Sequence, residues 1–182
     1  MADIKAFSPV KMICGIIAGS EARFRQAELR LTGLLGRVDM RSPFYVFDQT
    51  DYYARQMGEG LKRKFLAFET LRDPGELSAI KIRTNGFEED MRLASGAAQR
   101  IVNIDPGYLT ASALIMATAK DFSHRIPLSG GIYGHLEFLF GKTAVRTLDW
   151  TYPDFRKIDY QLFFLDARRV YLEQLKTLRL RS

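Results

Sequence analysis

The first apolar segment of the chain reads Met12-Ile13-Cys14-Gly15-Ile16-Ile17-Ala18. A short, continuous apolar run that ends at Gly19-Ser20 predicts a fully buried β-strand. The segment is too short to cross a membrane, and a helix start follows it in place of a cleavage site, so we do not interpret it as a signal peptide. Cys14 is the single cysteine of the chain, and we expect it to be a small buried apolar residue. A chain without a disulfide framework favours a cytoplasmic location.

After this strand, the sequence predicts two helices and three further strands. Ser20 is a suitable N-cap for a first helix, Gly36 is a suitable end for it, and Asp73-Pro74-Gly75 leads into a second helix. Asn85-Gly86 is expected to interrupt or kink that second helix. The apolar positions at helical spacing are Phe24, Ala27, Leu31 and Leu34 in the first helix and Leu77, Ile80, Thr84, Phe87 and Met91 in the second. Further strands are predicted at Phe44–Phe47, Phe65–Thr70 and Arg100–Ile104.

The predicted order strand, helix, strand, strand, helix, strand is typical of a ferredoxin-like βαββαβ unit. After it, Ala113–Thr118 is compatible with a strand or a helix, and Ile132–Phe140 and Ala144–Leu148 predict a hairpin with a two-residue turn at Gly141-Lys142. A long helix from Phe155 to Leu178 is predicted to follow, with Asp154 as its cap. The expected core face of that helix consists of Ile158, Leu162, Leu165, Tyr171, Leu175 and Leu178.

We therefore predict an α+β fold: a ferredoxin-like half, then a β-hairpin or meander extension, then a long C-terminal helix. The chain of 182 residues is expected to form a single compact domain over residues 1–182, with 1–105 and 106–182 as its halves.

The chain carries 27 Lys and Arg against 21 Asp and Glu, a formal charge of +6. This basic balance suits a partner that carries phosphate. The two dense basic spots, Leu61–Lys64 and Leu178–Arg181, are expected to be solvated. No segment has the length of a membrane span, so no membrane partner is predicted.

Three candidate cations lie close together in one predicted loop. Lys120, His124 and Arg125 would hold a phosphate or carboxylate, and His124 titrates near neutrality and would exchange a proton. The alternative is a solvated loop in which Arg125 pairs with Asp121. Of these residues, Lys120 and Arg125 are ligand-binding candidates and His124 is a catalytic candidate.

The segment Asn103-Ile104-Asp105-Pro106-Gly107-Tyr108 has two interpretations. Asp-Pro-Gly is ordinary turn chemistry, yet Asp105 would also emerge at the carboxyl end of a strand, where site residues are frequent. Asp105 is therefore the second catalytic candidate. Further ligand-binding candidates are Asn103, Tyr108, Asp48 and Tyr52, together with Trp150 and Tyr152 from a segment that forms either an aromatic wall or a rigid corner.

Phosphate-binding loops and metal sites find little support in the sequence. Gly141-Lys142-Thr143 lacks the glycine five residues earlier, where Leu136 stands, and Ser129–Gly134 precedes a strand and favours a hairpin turn with a bulge. His135 and Glu137 share one strand face and could bind a metal with Asp105 or His124. Because neither an H-E-x-x-H motif nor a cysteine pair is present, we predict no metal site and assign no cofactor.

Several motifs together resemble the bacterial domain-of-unknown-function family numbered 4416, over nearly the whole chain. They are Phe47–Tyr53, Met57-Gly58, Lys81 with Thr84-Asn85, Asn103–Leu109, Ala117–Lys120, His124–Ile126, Gly131–Tyr133 and Trp150–Asp154. The resemblance implies little about function: members are uncharacterised, and some carry the label "GTP-binding protein". The sequence supplies no Walker loop for that label. It departs from the family at His135, where the resemblance leads us to expect an acidic residue.

These observations favour a cytoplasmic protein that binds a phosphorylated or other anionic small ligand, nucleotides included, and they leave catalysis open. The first alternative is an RNA-binding module, for which the pI of about 9.5, the aromatic residues and the ferredoxin-like half would be suited. The second alternative is a non-enzymatic structural or assembly protein. The sequence does not decide the oligomeric state.

Overall fold

A computed structural model describes residues 3–48, 53 and 56–180. Within these ranges the strands are β1 (Val10–Ala18), β2 (Val38–Arg41), β3 (Tyr45–Val46), β4 (Lys62–Arg72), β5 (Val102–Leu109), β6 (Ala113–Thr118), β7 (Ile126–Pro127), β8 (Tyr133–Phe140) and β9 (Val145–Thr147). The α-helices are α1 (Glu21–Leu35), α2 (Leu77–Ala94) and α3 (Ile158–Arg179). Short 3₁₀ helices at Pro74–Glu76 and Pro153–Arg156 precede α2 and α3.

The described strands form one antiparallel sheet in the order β2-β4-β1-β5-β6-β8-β7, with β3 paired to β4 and β9 paired to β8. The order β2-β4-β1-β5 is that of a ferredoxin-like unit, and the α+β prediction is confirmed. Its second strand consists of two segments, β2 and β3, which pair with successive parts of β4. The sequence predicted only the second of them.

β1 is buried on both faces of the sheet, which explains its continuous apolar run. Met12, Cys14 and Ile16 pack with α1 and α2, whereas Ile13 packs with α3. The polar exception is the buried Lys11, whose Nζ donates to Asp39 Oδ2 at 2.6 Å and to the carbonyl oxygen of Phe68 at 2.9 Å. Helices therefore cover both faces of the central strand.

The core under α3 is aromatic. Phe65 of β4 lies at its centre, with ring centroids 4.8 Å from Tyr160, 5.8 Å from Phe163 and 4.8 Å from Phe164. Half of the predicted core face of α3 is wrong: Ile158, Leu162 and Leu178 are exposed, whereas Tyr171 is buried. Two apolar stripes run along this helix, and the stripe with the larger rings buries more apolar area.

The expected turn at Asp105-Pro106-Gly107 is wrong, because these residues lie inside β5. β5 pairs with β1 along its length but with β6 only through Gly107–Leu109. Pro106 has no N–H to donate, and the two strands separate on its N-terminal side. A Cβ on Gly107 would come within 2.5 Å of the carbonyl oxygen of Ile115, so this contact requires glycine.

Most other local predictions are confirmed. α1 starts after Ser20 and ends before Gly36, which has a φ of 91°. Residues 113–118 form a strand, and Gly141 to Ala144 form a hairpin loop, which is longer than the predicted two residues. α2 continues through Asn85-Gly86 without interruption. Cys14 is buried. None of the helices in the described ranges combines the length and the apolar character needed to cross a bilayer.

Candidate functional site

A cavity of about 620 Å³ opens where β5 and β6 separate. Residues from β4, α2, β5, β6, β8 and the 3₁₀ helix before α3 line it, together with the loop after β6. Among the lining residues are Arg63, Lys81, Glu88, Arg100, Asn103, Asp105, Lys120, His135, Glu137, Tyr152 and Asp154. Its volume falls in the range typical of small-molecule sites, roughly 300–1,000 Å³.

Asp105 is the centre of the polar wall. Its Oδ1 accepts from Lys81 Nζ at 3.2 Å and its Oδ2 accepts from Asn103 Nδ2 at 2.7 Å. Lys81 also donates to the carbonyl oxygen of Ile104 at 2.8 Å. Burial opposes ionisation of Asp105, but Lys81, Arg63 and the two hydrogen bonds outweigh it and hold the pKa of this carboxyl below its usual range. Asp105 is therefore a fixed carboxylate that orients Lys81.

Arg63 is a buried cation beside Asp105. Its Nη1 pairs with the Asp154 carboxylate, and its Nη2 lies 3.9 Å from Asp105 Oδ2. The guanidinium also lies 4.7 Å from the ring centroid of Phe47 and 5.4 Å from that of Phe155. The expectation that Arg63 is solvated is thus wrong, because its strand position points it inward. The prediction that Asp154 caps the last helix is wrong too: α3 has no side-chain cap.

Glu88 and Arg100 form the outer part of the wall. Glu88 Oε1 accepts from the backbone N–H of Ile104 at 2.7 Å, and Arg100 Nε lies 3.5 Å from its Oε2. Arg100 also donates to Asn103 Oδ1 at 2.7 Å. Burial raises the pKa of Glu88 to about 7, against the opposing effect of Lys81. The charge on this wall therefore changes around neutral pH.

A second polar group on the β8 side consists of Glu137, His135 and His124. Glu137 Oε2 lies 3.1 Å from His135 Nε2, and His135 Nδ1 lies 3.2 Å from His124 Nε2. Glu137 Oε1 accepts from the backbone N–H of Tyr152 at 2.7 Å. No three metal-ligating side chains converge within the part of the chain that the structure describes. The two histidines and Glu137 form a line.

The cavity brings together four of the residues proposed from the sequence: Asn103, Asp105, Lys120 and Tyr152. His124 and Arg125 lie beside it, not in its wall. Arg125 donates to the carbonyl oxygen of Lys120 at 2.7 Å and to the Tyr152 hydroxyl at 2.6 Å.

The remaining candidates lie elsewhere. Tyr108 packs against the core of α1 and α2, on the sheet face opposite Asp105. Asp48 is exposed, and its Oδ1 lies 3.3 Å from Lys157 Nζ. Trp150 donates its indole N–H to the carbonyl oxygen of Leu136 at 2.8 Å and stacks on His124. Tyr52 falls outside the described residues.

Sequence reasoning missed Arg63, Lys81, Glu88 and Arg100 as site residues. Two signals were available. Lys81 and Glu88 are seven residues apart beside the apolar stripe of a helix, which places both next to the sheet. Arg63 and the core residue Phe65 are two positions apart on one strand, which places both on the same face.

The family model named "Domain of unknown function (DUF4416)" matches residues 8–171. The chain belongs to the DUF4416 family. All the residues that line the cavity fall within the matched range of this DUF4416 protein. Comparison with curated proteins and with solved structures gave no match. The family description states no activity.

Proposed function

We propose that this cavity binds a small anionic ligand, such as a phosphorylated metabolite or a nucleotide. The observation that carries the proposal is the pair of buried cations, Arg63 and Lys81, in the wall of an open cavity of ligand size. Burying a charge is costly, so cations in such a wall are typical of sites that bind anions.

Each of these cations retains hydrogen-bonding capacity. Lys81 Nζ has three N–H donors, and two of them go to Ile104 and Asp105. Arg63 Nε is buried and has no hydrogen-bonding partner among the described residues. A phosphate or carboxylate oxygen would accept the third donor of Lys81, and the charges of Arg63, Lys120 and Arg100 at the cavity wall would add longer-range attraction.

RNA binding stays a prediction, but the fold does not favour the mode known from ferredoxin-like RNA-binding domains. Those domains stack bases on an open sheet face. Here α3 and its aromatic core cover the sheet face opposite α1 and α2. An anion in the cavity requires no free sheet face.

The proposal is tested by calorimetric titration of the purified protein with inorganic phosphate, pyrophosphate and the common nucleotides. We expect binding by the unmodified chain, and a loss of at least tenfold in affinity in Lys81→Met, which keeps the length of the side chain but removes its charge. Lys142→Ala is the matched control, because Lys142 lies on the β8–β9 hairpin outside this cavity. Equal affinity in Lys81→Met and Lys142→Ala would refute the assignment.

The pH dependence of binding gives a second test. The pKa of Glu88 is about 7, so Glu88 is mostly neutral at a lower pH. A neutral Glu88 no longer offsets the positive charges of Lys81 and Arg100, which then attract an anion more strongly. We therefore expect sulfate, whose own charge is constant in this range, to bind more tightly at pH 6 than at pH 8. Glu88→Gln should remove this dependence. Tighter binding at pH 8 would contradict the proposal.

A further inference from the structure

The line of Glu137, His135 and His124 leads from the cavity toward solvent. Glu137 and His135 are fully buried on β8 and line the cavity, whereas His124 lies in the loop after β6 and is partly exposed. Glu137 Oε2 and His135 Nε2 are 3.1 Å apart, and neither atom has a hydrogen bond of good geometry among the described residues. Two such atoms at the wall of a cavity call for a chemical explanation.

The positions of the protons follow from the partners of each atom. A carboxylate oxygen and an imidazole nitrogen at 3.1 Å need one proton between them, because two lone pairs would repel each other. His135 then carries its proton on Nε2, and its Nδ1 must accept. The group 3.2 Å from that Nδ1 is His124 Nε2, which must donate. In a ring that carries a single proton, that proton is therefore on Nε2, and each N–H points inward.

The surroundings favour the neutral form of His124. Burial, His135 and the nearby Arg125 guanidinium lower the pKa of His124. Arg125 is held in place by the Lys120 carbonyl and the Tyr152 hydroxyl, and the Tyr152 ring lies 5.1 Å from the His135 ring. A proton on His124 is thus readily passed on.

We propose that Glu137, His135 and His124 form a proton relay between solvent and the ligand cavity. His124 Nδ1 takes a proton from water, His124 Nε2 releases one to His135 Nδ1, and His135 Nε2 releases one to Glu137 Oε2. One proton moves inward and no electrons are transferred; the reverse sequence moves a proton outward. The inference rests on the proposed function in one respect, that the cavity holds a ligand, and it specifies a ligand that gains or loses a proton at this end.

Histidine tautomers measured by nitrogen NMR test the relay directly. The chain has only His124 and His135, so two imidazole spin systems appear, and His124→Gln assigns them by the loss of one. In the unmodified protein at pH 7.5 we expect both rings to be protonated on Nε2. A His135 ring protonated on Nδ1 would overturn the relay.

Glu137→Gln then tests whether the three groups are coupled. The amide oxygen of the new side chain keeps the hydrogen bond from Tyr152, so its NH₂ faces His135 Nε2, which must become an acceptor. We expect His135 to switch to the Nδ1 tautomer and His124 to switch with it, at a distance from the substitution. A switch in His135 without one in His124 would overturn the relay. Glu89→Gln, at the cavity wall but paired with Arg92, should change neither ring.

These measurements need no ligand, so they separate the relay from the binding proposal. If the tautomers were as expected but neither phosphate nor nucleotides bound, the hydrogen-bonded chain of the three side chains would stand. The anion site would be refuted, and with it the role of the relay toward such a ligand. Binding without the expected tautomers would retain the anion site and refute the relay.

Discussion

At the scale of single residues, the raised pKa of Glu88 makes stability depend on pH. Its folded pKa of about 7 lies above the ordinary value of 4.5, so the folded state binds a proton more tightly than the unfolded state. The contribution of the protonated carboxyl is complete below about pH 4.5 and is lost as pH rises through 7. We expect the free energy of unfolding to fall over this window by up to about 3 kcal/mol from this group.

Urea unfolding of the unmodified protein and Glu88→Gln, at pH 5 and pH 8, measures that loss. The glutamine oxygen retains the hydrogen bond from Ile104 but carries no charge, so the variant should lose less stability between the two pH values. Glu89→Gln is the control, because Arg92 lowers the pKa of the exposed Glu89 and removes it from this window. If the free energy of unfolding changed equally between pH 5 and pH 8 in Glu88→Gln and in the unmodified protein, the burial of an ionisable Glu88 would be contradicted.

The buried Arg63–Asp154 pair gives a second prediction at this scale. Arg63→Met should reduce the free energy of unfolding by about 3 to 5 kcal/mol, because it leaves the buried carboxylate of Asp154 without its cation. Arg63→Met with Asp154→Leu should cost less than the sum of the two single variants. A double-mutant cycle from urea denaturation gives the coupling; additive losses would show that the two side chains do not interact.

At the scale of elements, two glycines should respond to the same substitution with opposite signs. Gly107 of β5 has no room for a Cβ beside Ile115 and Met116, whereas a Cβ on Gly86 in the middle of α2 would meet no atom within 4 Å. We expect Gly107→Ala to lower the melting temperature. Gly86→Ala should raise stability by about 0.5 to 1 kcal/mol, because alanine favours the helix.

Thermal unfolding followed by circular dichroism measures both. Gly33→Ala is a control for Gly86→Ala, because Gly33 lies in α1 and a Cβ there would also meet no atom within 4 Å. We expect it to raise stability in the same way. A tolerated Gly107→Ala would mean that β5 and β6 do not approach each other as closely as described.

The elements that the sequence predicted well are those whose burial is visible in their own local pattern. The apolar run of β1 indicates its burial, and the apolar stripes of α1 and α2 indicate packing against the sheet. Gly36 indicates the end of α1, where the backbone has a positive φ. β5 was predicted too short, because Asp105-Pro106-Gly107 has the composition of a turn. Only the tertiary pairing shows that the β5–β6 ladder stops at Pro106 and that Gly107 allows the close approach of β6.

The site was predictable to the extent that its residues stand in one loop or strand. Asn103 and Asp105 were found because they follow each other along β5. Lys81 and Arg63 were not, because they reach Asp105 from α2 and β4, and no local pattern encodes that meeting. The loop cations were found by proximity in sequence, yet Arg125 serves to hold Lys120 and Tyr152.

At the scale of the whole molecule, β1 joins two cores that the sequence suggested as parts of separate halves. Its alternate side chains belong to the core of α1 and α2 and to the aromatic core of α3. β5 in turn pairs with β1 on one side and with β6 on the other. Loss of either core therefore removes packing from a strand that the other core needs.

We accordingly expect the chain to unfold in a single cooperative transition. Trp150 is the only tryptophan and contacts Leu136 of β8 and His124, so its fluorescence reports on the second half, whereas far-ultraviolet circular dichroism reports on all elements. The two curves should coincide in urea. Leu31→Ala on the buried face of α1 and Phe164→Ala on the buried face of α3 should each shift both curves together, by about 2 to 5 kcal/mol. If Phe164→Ala moved the fluorescence curve alone, the halves would be separate folding units and β1 would not couple them.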